Sequence, residues 1–325
     1  MLKIELLDIK KITKKKKTHI YNQYIKFAKS HNLFLNQYEN EEVFFKSLKG
    51  EAYCAWEGEI CIGFFHVVKS NDWGNNPQNS VNILVDREYS NKELEKNIVL
   101  FLKEINKREI QLAVMTYNKQ YTKLLLNLNG KIQMNFNKYV LDKNRVNVEM
   151  LDKWIVEIKK NNPDLSLIFR KKVPSEYLEE YCDLFMETSA DMTDTKEEGF
   201  IMYNLTPKVQ RELNNRKVAG SEHWAVFVIN KDNKMIGMSN VSVGGKFPRQ
   251  FMIGIKKNYR GRKIGKWMYA ALYKKIILES EFEKLHLEHH EENIPAIGLS
   301  LKTGYEFCYN QMKIIYDKES IKHEQ

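Results

Sequence analysis

The chain has 325 residues, of which 43% are hydrophobic and 29% are charged. This mix is typical of a folded protein and excludes long disordered, collagen-like and low-complexity classes. At roughly 100–200 residues per domain, the length predicts two domains. The sequence has no apolar run near the ~20 residues of a membrane helix, and Met1–Glu5 leads into no apolar secretion core. We therefore expect a cytoplasmic protein that has no membrane partner.

The charge balance is basic but does not select a partner. Lysine and arginine number 52 and aspartate and glutamate 42, which gives a net charge of +10. Such a balance suits nucleic acid, a membrane surface or an anionic cofactor, yet the lysines are spread through a chain that is rich in Lys, Asn and Ile throughout. The four cysteines have neither CxxC spacing nor metal-type clustering, which predicts reduced, buried thiols and no metal.

A repeat divides the sequence. Two β-hairpins are predicted from pairs of β-rich apolar runs on either side of tight turns: Ala52–Trp56 with Ile60–Val68, and Trp224–Ile229 with Met235–Val243. Their Ile-Gly pairs differ by 174 positions (236 − 62), and the helix-ending Gly130 and Gly304 differ by the same number (304 − 130). A hairpin and a helix end that repeat together indicate two copies of one fold. We predict domains at residues 1–145 and 146–325.

The predicted elements of the second copy alternate between strands and helices. In chain order they are strand Leu165–Arg170, helix Pro174–Thr188, an acidic loop, helix Thr206–Arg216, the hairpin, strand Gln250–Ile255, helix Gly261–Leu278, strand Lys284–His289, helix Ile294–Thr303 and a strand pair within Tyr305–Tyr316. This order predicts an α/β fold of mixed type, in which each copy has a mixed, mostly antiparallel sheet flanked by helices.

An anion-binding turn is predicted between the strand that holds Ile253, Gly254 and Ile255 and the long helix. A helix start presents unpaired N–H groups and the positive end of the helix dipole, so it binds phosphate. The candidate phosphate-binding residues are Arg260, Gly261, Arg262, Lys263, Ile264, Gly265 and Lys266. The glycines allow a close backbone approach, and the basic residues add charge. The alternative is a solvated basic loop whose glycines serve only the turn.

The same turn resembles motif A of the GNAT superfamily, the GCN5-related N-acetyltransferases, usually written Arg/Gln-x-x-Gly-x-Gly/Ala. Arg260 fits the first position and Gly265 the last, while Lys263 replaces the middle glycine. This lysine either crowds a pyrophosphate or adds a charge to it.

A second segment, Leu285–Tyr305, resembles GNAT motif B. The matching residues are Leu285, Leu287, Asn293, Ala296, Leu299 and Gly304. Three positions depart from the motif: His289 replaces valine, Ser300 replaces tyrosine and Tyr305 replaces phenylalanine. The two copies together resemble the tandem GNAT architecture of mycothiol synthase-like proteins. The resemblance implies an acyl-CoA site that includes Asn293 and the strand–turn residues around Gly265.

The first copy departs further from the family pattern. Its corresponding loop, Arg87–Lys92, contains no glycine, and Glu88 would repel a phosphate. We expect this copy to be a degenerate scaffold that binds no acyl-CoA.

The resemblance implies transfer of an acetyl group from acetyl-CoA to an amine. In the family, a backbone N–H at a strand bulge polarises the thioester carbonyl. In this sequence that N–H falls within Ile253–Ile255. Glu288 is the leading candidate for the general base, with His289, which faces inward, and His290 as competitors. The alternative for Glu288 is an outward-facing strand residue on a solvated surface. Ser300 stands where many relatives have the tyrosine that protonates the thiolate. A serine is a poor acid, so water, another tyrosine or no acid at all are the open alternatives.

Three functions remain open from the sequence. The first is an N-acetyltransferase that uses acetyl-CoA to acetylate a primary amine of a small cationic molecule, since the acidic loop Glu187–Glu198 would attract a cation. The second is an acyl-CoA-binding sensor without catalysis. The third is a protein N-acetyltransferase whose first copy is a docking surface. Nucleic-acid binding rests on charge alone and is not expected.

Overall fold

The computed structural model describes residues 2–30, 40–71, 77–86, 89, 92–107, 111–117, 119–192, 205–215, 221–244, 249–317 and 320–321. The chain forms two compact units. The first unit comprises Met1–Lys138 and Cys308–Gln325, and the second comprises Tyr139–Phe307. The sequence prediction assigned the C-terminal segment to the second domain, whereas in the structure it belongs to the first unit.

The first unit is built from two helices, a hairpin and a strand–helix alternation. Its elements are β1 (Leu2–Leu6), α1 (Lys14–Ser30), α2 (Glu41–Ser47), β2 (Glu51–Glu57), β3 (Ile60–Asn71), β4 (Pro77–Val85), α3 (Lys92–Asn106), β5 (Gln111–Thr116) and α4 (Lys119–Asn127), with most of β6 (Lys131–Asp142) and of β12 (Glu306–Tyr316). Strand β4 is parallel to β5, and β12 pairs antiparallel with β5 from Met312 to Tyr316. This pairing is why the C-terminal segment packs with the first unit.

The second unit repeats that plan. Its elements are α5 (Val148–Asn161), β7 (Ser166–Arg170), α6 (Leu178–Met192), α7 (Pro207–Asn215), β8 (Ser221–Ile229), β9 (Met235–Gly244), β10 (Arg249–Ile255), α8 (Ile264–Glu279), β11 (Lys284–His290) and α9 (Ile294–Lys302). The strand order is β7-β8-β9-β10-β11. All pairings are antiparallel except β10 with β11, which is parallel. The predicted fold class is confirmed.

Each face of the second sheet buries its own hydrophobic cluster. Helices α5 and α8 cover one face, where Leu151, Met268 and Leu285 are fully buried. Helix α6 covers the other face, where Leu184 and Phe227 are fully buried. The polar groups discussed below therefore divide into an α8 face and an α6 face.

Helix α8 begins three residues later than the sequence predicted (264 − 261). Gly261 has a φ of +81° and Lys263 a φ of +59°. Both angles lie in the left-handed region, which a right-handed helix cannot contain, so the turn delays the helix. The predicted C-terminal strand pair is a single strand, β12.

Among the helices that the structure describes, none is long and apolar enough to cross a membrane. The four cysteines are all free thiols, and three of them are buried.

Candidate active site

A gap opens between the parallel strands β10 and β11. Their register contains the pair Arg249–His286. Beyond it, in the fully described stretches 250–255 and 287–290, no further register pair joins the two strands. Backbone groups on the facing edges of both strands are therefore directed into the gap.

The alternation of β10 identifies which amides face this gap. The N–H of Lys256 donates a hydrogen bond of 2.9 Å to the carbonyl of Ile236 in β9, so this N–H points toward β9. Because backbone groups alternate along a strand, the N–H groups of Ile253 and Ile255 point the other way, toward β11. The carbonyl of Ile255 accepts a hydrogen bond from Nε of Arg260 at 3.0 Å, as this orientation requires. Ile253 thus directs a backbone donor into the gap.

The strand bulge lies earlier than the family resemblance implied. The register with β9 shifts between Gln250 and Met252, not within Ile253–Ile255. The extra residue is Phe251, which is 51% exposed. The N–H of Met252 is held by Oδ1 of Asn240 at 3.1 Å, so this bulge amide does not face the gap.

A cleft of about 890 Å³ continues from the gap. It is lined by Thr188, Ile253, Ile255, Arg260, Gly265, Lys266, His290, Glu292, Asn293, Ile294, Pro295, Ala296, Gly298, Leu299 and Lys302. These residues come from α6, the end of β10, the turn before α8 and its first turn, the end of β11 with the loop that follows it, and α9. The N–H of Trp267 makes the first bond within α8, to the carbonyl of Lys263. The three preceding amides have no acceptor within the helix and form the anion-binding end of α8.

Two glycines allow the close approaches of the site, each in its own way. A Cβ atom at Gly254 would overlap Oγ1 of Thr188 and lie 3.2 Å from Cβ of Thr188. Glycine is therefore what lets α6 cross β10 here. A Cβ atom at Gly265 would lie 3.2 Å from the flexible end of the Ile255 side chain. Gly265 thus lines the cleft with bare backbone.

Two predicted cations line the cleft, together with one that the sequence analysis missed. Arg260 is held over the end of β10 by its bond to Ile255, and its Nη2 lies 3.8 Å from Glu187. The ammonium of Lys266 lies 3.8 Å from the centre of the Trp154 ring, and burial lowers the pKa of this lysine. Lys302 joins them from the last turn of α9. Its position four residues after Gly298, on the same helix face, was the signal for it.

Two other predicted cations do not line the cleft. Arg262 donates to Oδ1 of Asn162 at 2.8 Å and to Oδ1 of Asp164 at 2.7 Å. Its hydrogen bond lowers the pKa of the Asp164 carboxyl. Lys263 extends toward Glu157 of α5, with 3.4 Å between the charged atoms. Neither side chain is among those that face the cleft, so Lys263 neither crowds the cleft nor brings its charge into it.

Asn293 has a structural reason for its position. It is the N-cap of α9, and its Oδ1 accepts a hydrogen bond from the N–H of Ala296 at 3.3 Å. A capping asparagine satisfies one of the free amides at the helix start. Asn293 also lines the cleft. It therefore fixes the start of the helix whose face forms one wall.

Residues 184–305 match the family model described as Acetyltransferase (GNAT) family. The second unit contains a GNAT domain. The matched segment includes the gap, the α8 turn and α9, so the resemblance of both motifs is confirmed.

Solved structures show the same fold over the whole chain. A tandem GNAT protein from the clavulanic acid biosynthesis pathway superposes with a TM-score of 0.62 at 12% identity and covers 100% of both chains. A GCN5-related N-acetyltransferase from Sphaerobacter thermophilus has a TM-score of 0.62 at 12% identity, over 97% of this chain and 95% of that one. The chain therefore has the tandem GNAT fold. No curated protein is similar enough in sequence to count as a relative.

The candidate base of the GNAT domain, Glu288, lies on the α6 face and not among the residues that line the cleft. Its Oε1 is 3.0 Å from Nη2 of Arg249, and the two side chains are 31% and 50% exposed. The pair stands beside the point where β10 and β11 separate.

The other two predicted catalytic residues of the GNAT domain are hydrogen-bonded to each other. Nε2 of His289 is 2.8 Å from Oγ of Ser300. Ser300 is 1% exposed, and burial lowers the pKa of His289 to about 4. Neither residue lines the cleft. We predicted that His289 lines the thioester region and that Ser300 faces the reacting sulfur. Among the residues that the structure describes, no contact of either side chain supports these two predictions.

A buried tyrosine cluster on α8 supports the GNAT domain behind the cleft. The rings of Tyr269 and Tyr273 stack with 3.9 Å between their centres. The hydroxyl of Tyr273 bonds to that of Tyr305 at 2.5 Å and donates to Gln250 beside the bulge. Burial raises the pKa of all three tyrosines. They remain neutral and tie α8 to the strands.

In the first unit the corresponding gap is shorter. Gly63 pairs with Val85 as Gly237 pairs with Ile255, so Val85 corresponds to Ile255. Strand β4 stays paired with β5 up to Asn82, three residues before Val85 (85 − 82). Strand β10 leaves β11 at Arg249, six residues before Ile255 (255 − 249).

The helix start that follows β4 is also unlike α8. Asp86 is buried, and its carboxylate pairs with Lys26 at 2.7 Å. The first turn of α3 contains Glu93 and Glu95. Their negative charges would repel a phosphate group at this helix start. Of the predicted loop Arg87–Lys92, the residues 87, 88, 90 and 91 lie outside the described part of the chain.

Proposed function

We propose that the protein is an N-acetyltransferase that moves an acetyl group from acetyl-CoA to the primary amine of a small molecule that is cationic at neutral pH. The single observation that carries this proposal is the combination of an open gap between β10 and β11 with the bare start of α8 at Gly265. The volume of the cleft, about 890 Å³, and the unpaired amides at its α8 wall suit a flexible, phosphate-bearing ligand. The GNAT family match supports the choice of acyl-CoA.

The residues present fit such a ligand. The amides of Ile264, Gly265 and Lys266 would hold the pyrophosphate, because they lack acceptors within α8 and stand at the positive end of its dipole. Arg260 and Lys266 would add charge there. In the part of the chain that the structure covers, no group of three His, Cys, Asp or Glu side chains could hold a metal.

The chemistry rests on two protein groups. The N–H of Ile253, directed into the gap, would polarise the thioester carbonyl, and one aligned donor in a dry site contributes roughly 3 kcal/mol. Glu288 would take one proton of the ammonium, directly or through a water. The free amine would then attack the thioester carbon, and the second N–H proton would pass to water as the C–S bond breaks. The CoA thiol has a pKa near 8–9, like that of a cysteine, so the thiolate leaves without an acid. Ser300, occupied by His289, is not needed.

We further propose that the first unit is a scaffold without an acyl-CoA site, supported by its shorter gap and the acidic start of α3. The four free thiols fit a reducing compartment, so we assign the protein to the cytoplasm. Nucleic acid and membranes are not among the proposed partners.

The function is tested by release of CoA thiol from acetyl-CoA in the presence of amines. Small primary amines should raise the release rate and yield the N-acetyl product by mass spectrometry. Acetylation of peptides alone would favour the protein acetyltransferase. Tight acetyl-CoA binding without amine-dependent release from any acceptor would favour the sensor.

A further inference from the structure

A row of polar side chains crosses the α6 face of the second sheet. The strand register aligns His223 of β8, Ser242 of β9, Arg249 of β10 and His286 of β11. The row lies on the α6 face because Asn240, two residues before Ser242, bonds to the hydroxyl of Tyr181 on α6 at 3.0 Å. Glu288 follows His286 by two residues and so faces the same side.

This row ends where the gap begins. Arg249 and His286 form the pair beyond which β10 and β11 separate. Glu288 is the next side chain of β11 on this face, and Phe251 of the bulge projects from β10. An acceptor that approaches the gap from the α6 face therefore meets the Arg249–Glu288 ion pair and the Phe251 ring.

Two charged side chains of opposite sign meet at this point. Oε1 of Glu288 is 3.0 Å from Nη2 of Arg249, and both side chains are partly exposed. The Arg249 guanidinium also lies 5.5 Å from the centre of the Phe251 ring. Burial lowers the pKa of His286 to about 4 and also lowers the pKa of His223. Both histidines of the row are neutral at pH 7.

We propose that the acceptor carries a carboxylate next to its primary amine, as an α-amino acid does, and that Arg249 binds this carboxylate. The inference rests on the proposed acetyltransferase function and replaces the net-cationic acceptor proposed above by a zwitterion, whose amine is still protonated at neutral pH. Exposed ion pairs contribute about 0–1 kcal/mol, and this pair is partly exposed. A zwitterion supplies an opposite charge to each side chain, so it can replace the contact between them. The ligand ammonium then faces Glu288, and its carboxylate faces the guanidinium fork.

Other charge types fit this pair less well. An amine without a carboxylate would bring its positive charge beside Arg249, and an anion without an amine would bring its charge beside Glu288. Of the acidic loop that indicated a cation, Glu187 bonds to the N–H of Lys257 at 2.9 Å, beside Arg260. Its residues 193–198 lie outside the described part of the chain.

The test compares acceptors that differ only in the carboxylate. Phenylalanine, phenylalanine amide and phenethylamine are one such set, with leucine, leucine amide and isopentylamine as a second. Initial rates are measured as CoA thiol release at saturating acetyl-CoA. We expect the amino acids to have kcat/KM values at least about 10-fold above their amides, the range of one charge-assisted hydrogen bond.

Arg249→Gln should remove this preference and Arg249→Lys should keep part of it. The loss should appear as a fall in the ratio of kcat/KM for an amino acid to kcat/KM for its amide, with a raised KM for the amino acids. Equal losses for all acceptors in Arg249→Gln, or amides that are acetylated as well as amino acids, would overturn the inference and leave the acetyltransferase function standing.

Calorimetry keeps the inference testable if no acceptor of the sets is acetylated. Phenylalanine and leucine are titrated into the complex of the protein with CoA. Carboxylate-dependent binding that Arg249→Gln abolishes would support the inference, and its absence in the parent protein would overturn it. Acetyl-CoA binding without any acetylated product would count separately, against the proposed function.

Discussion

The hydroxyl oxygen of Ser300 lies 2.8 Å from Nε2 of His289, and this contact accounts for both side chains without catalysis. His289 also packs against the Tyr139 ring, with 5.7 Å between ring centres. Motif B alone placed the two residues near the reacting sulfur. The structure joins them on the α8 side of the sheet, where they link β11 to α9.

Ser300→Ala is expected to reduce stability and to spare the chemical step. Removal of the hydroxyl leaves a half-buried ring nitrogen of His289 without its partner, which costs about 1–3 kcal/mol. The free energy of unfolding should fall by that amount in urea, while kcat changes less than about threefold. A kcat loss near 100-fold with unchanged stability would instead restore Ser300 as the acid.

The neutral state of His289 predicts a pH dependence of stability. Its pKa is about 4 in the folded protein, against an ordinary value of 6.5. The unfolded chain therefore binds the proton more readily, and stability falls as the pH drops from 6.5 toward 4. The loss amounts to at most about 3 kcal/mol. His289→Gln should make this part of the curve of unfolding free energy against pH less steep, and the slope that remains includes the contribution of His286, whose pKa burial also lowers to about 4. Parallel curves for the two proteins would contradict the assignment.

Glu288→Gln should lower kcat by at least roughly 100-fold, the range of general-base catalysis, and leave acetyl-CoA affinity nearly intact. The loss should shrink at high pH, where the amine deprotonates in solution. The measurement is a pH–rate profile with the best acceptor, beside His289→Ala as the control. Wild-type rates for Glu288→Gln together with a collapse for His289→Ala would transfer the role to the histidine.

Gly254→Ala should destabilise the protein by about 1–3 kcal/mol, the usual cost of overpacking. The new methyl group overlaps Thr188, whose hydroxyl donates to the carbonyl of Leu184 at 2.7 Å. Gly298→Ala is the matched control, since a Cβ atom there meets no other atom within 4 Å. It should stabilise α9 by about 0.5–1 kcal/mol.

A double variant separates this clash from a general intolerance at Gly254. Thr188→Ala removes the overlapping hydroxyl and should recover part of the loss in the Gly254→Ala background, so the two changes should not be additive. Purely additive losses would show that Thr188 is not the obstacle.

The sequence was sufficient where local pattern decides the structure. Apolar periodicity predicted the positions of the hairpin, β10 and β11, because the spacing of apolar residues differs between strands and amphipathic helices. The sequence pattern predicted the start of α8 too early, because nothing in the local sequence shows that the backbone of Lys263 adopts the left-handed conformation. The partners of Arg262 and Lys263 lie about a hundred positions earlier, at Asp164 and Glu157. Only the folded chain brings those carboxylates close enough to draw both cations away from the cleft.

The most direct test of the central proposal, one acyl-CoA site per chain, is an isothermal titration of the protein with acetyl-CoA. We predict one site per chain for the parent protein and loss of binding in Gly265→Glu, which would place a carboxylate at the anion-binding start of α8. Gly265→Gln, of nearly the same size, should bind more weakly than the parent but better than Gly265→Glu. Two equal sites per chain, or unchanged affinity in a folded Gly265→Glu variant, would contradict the account.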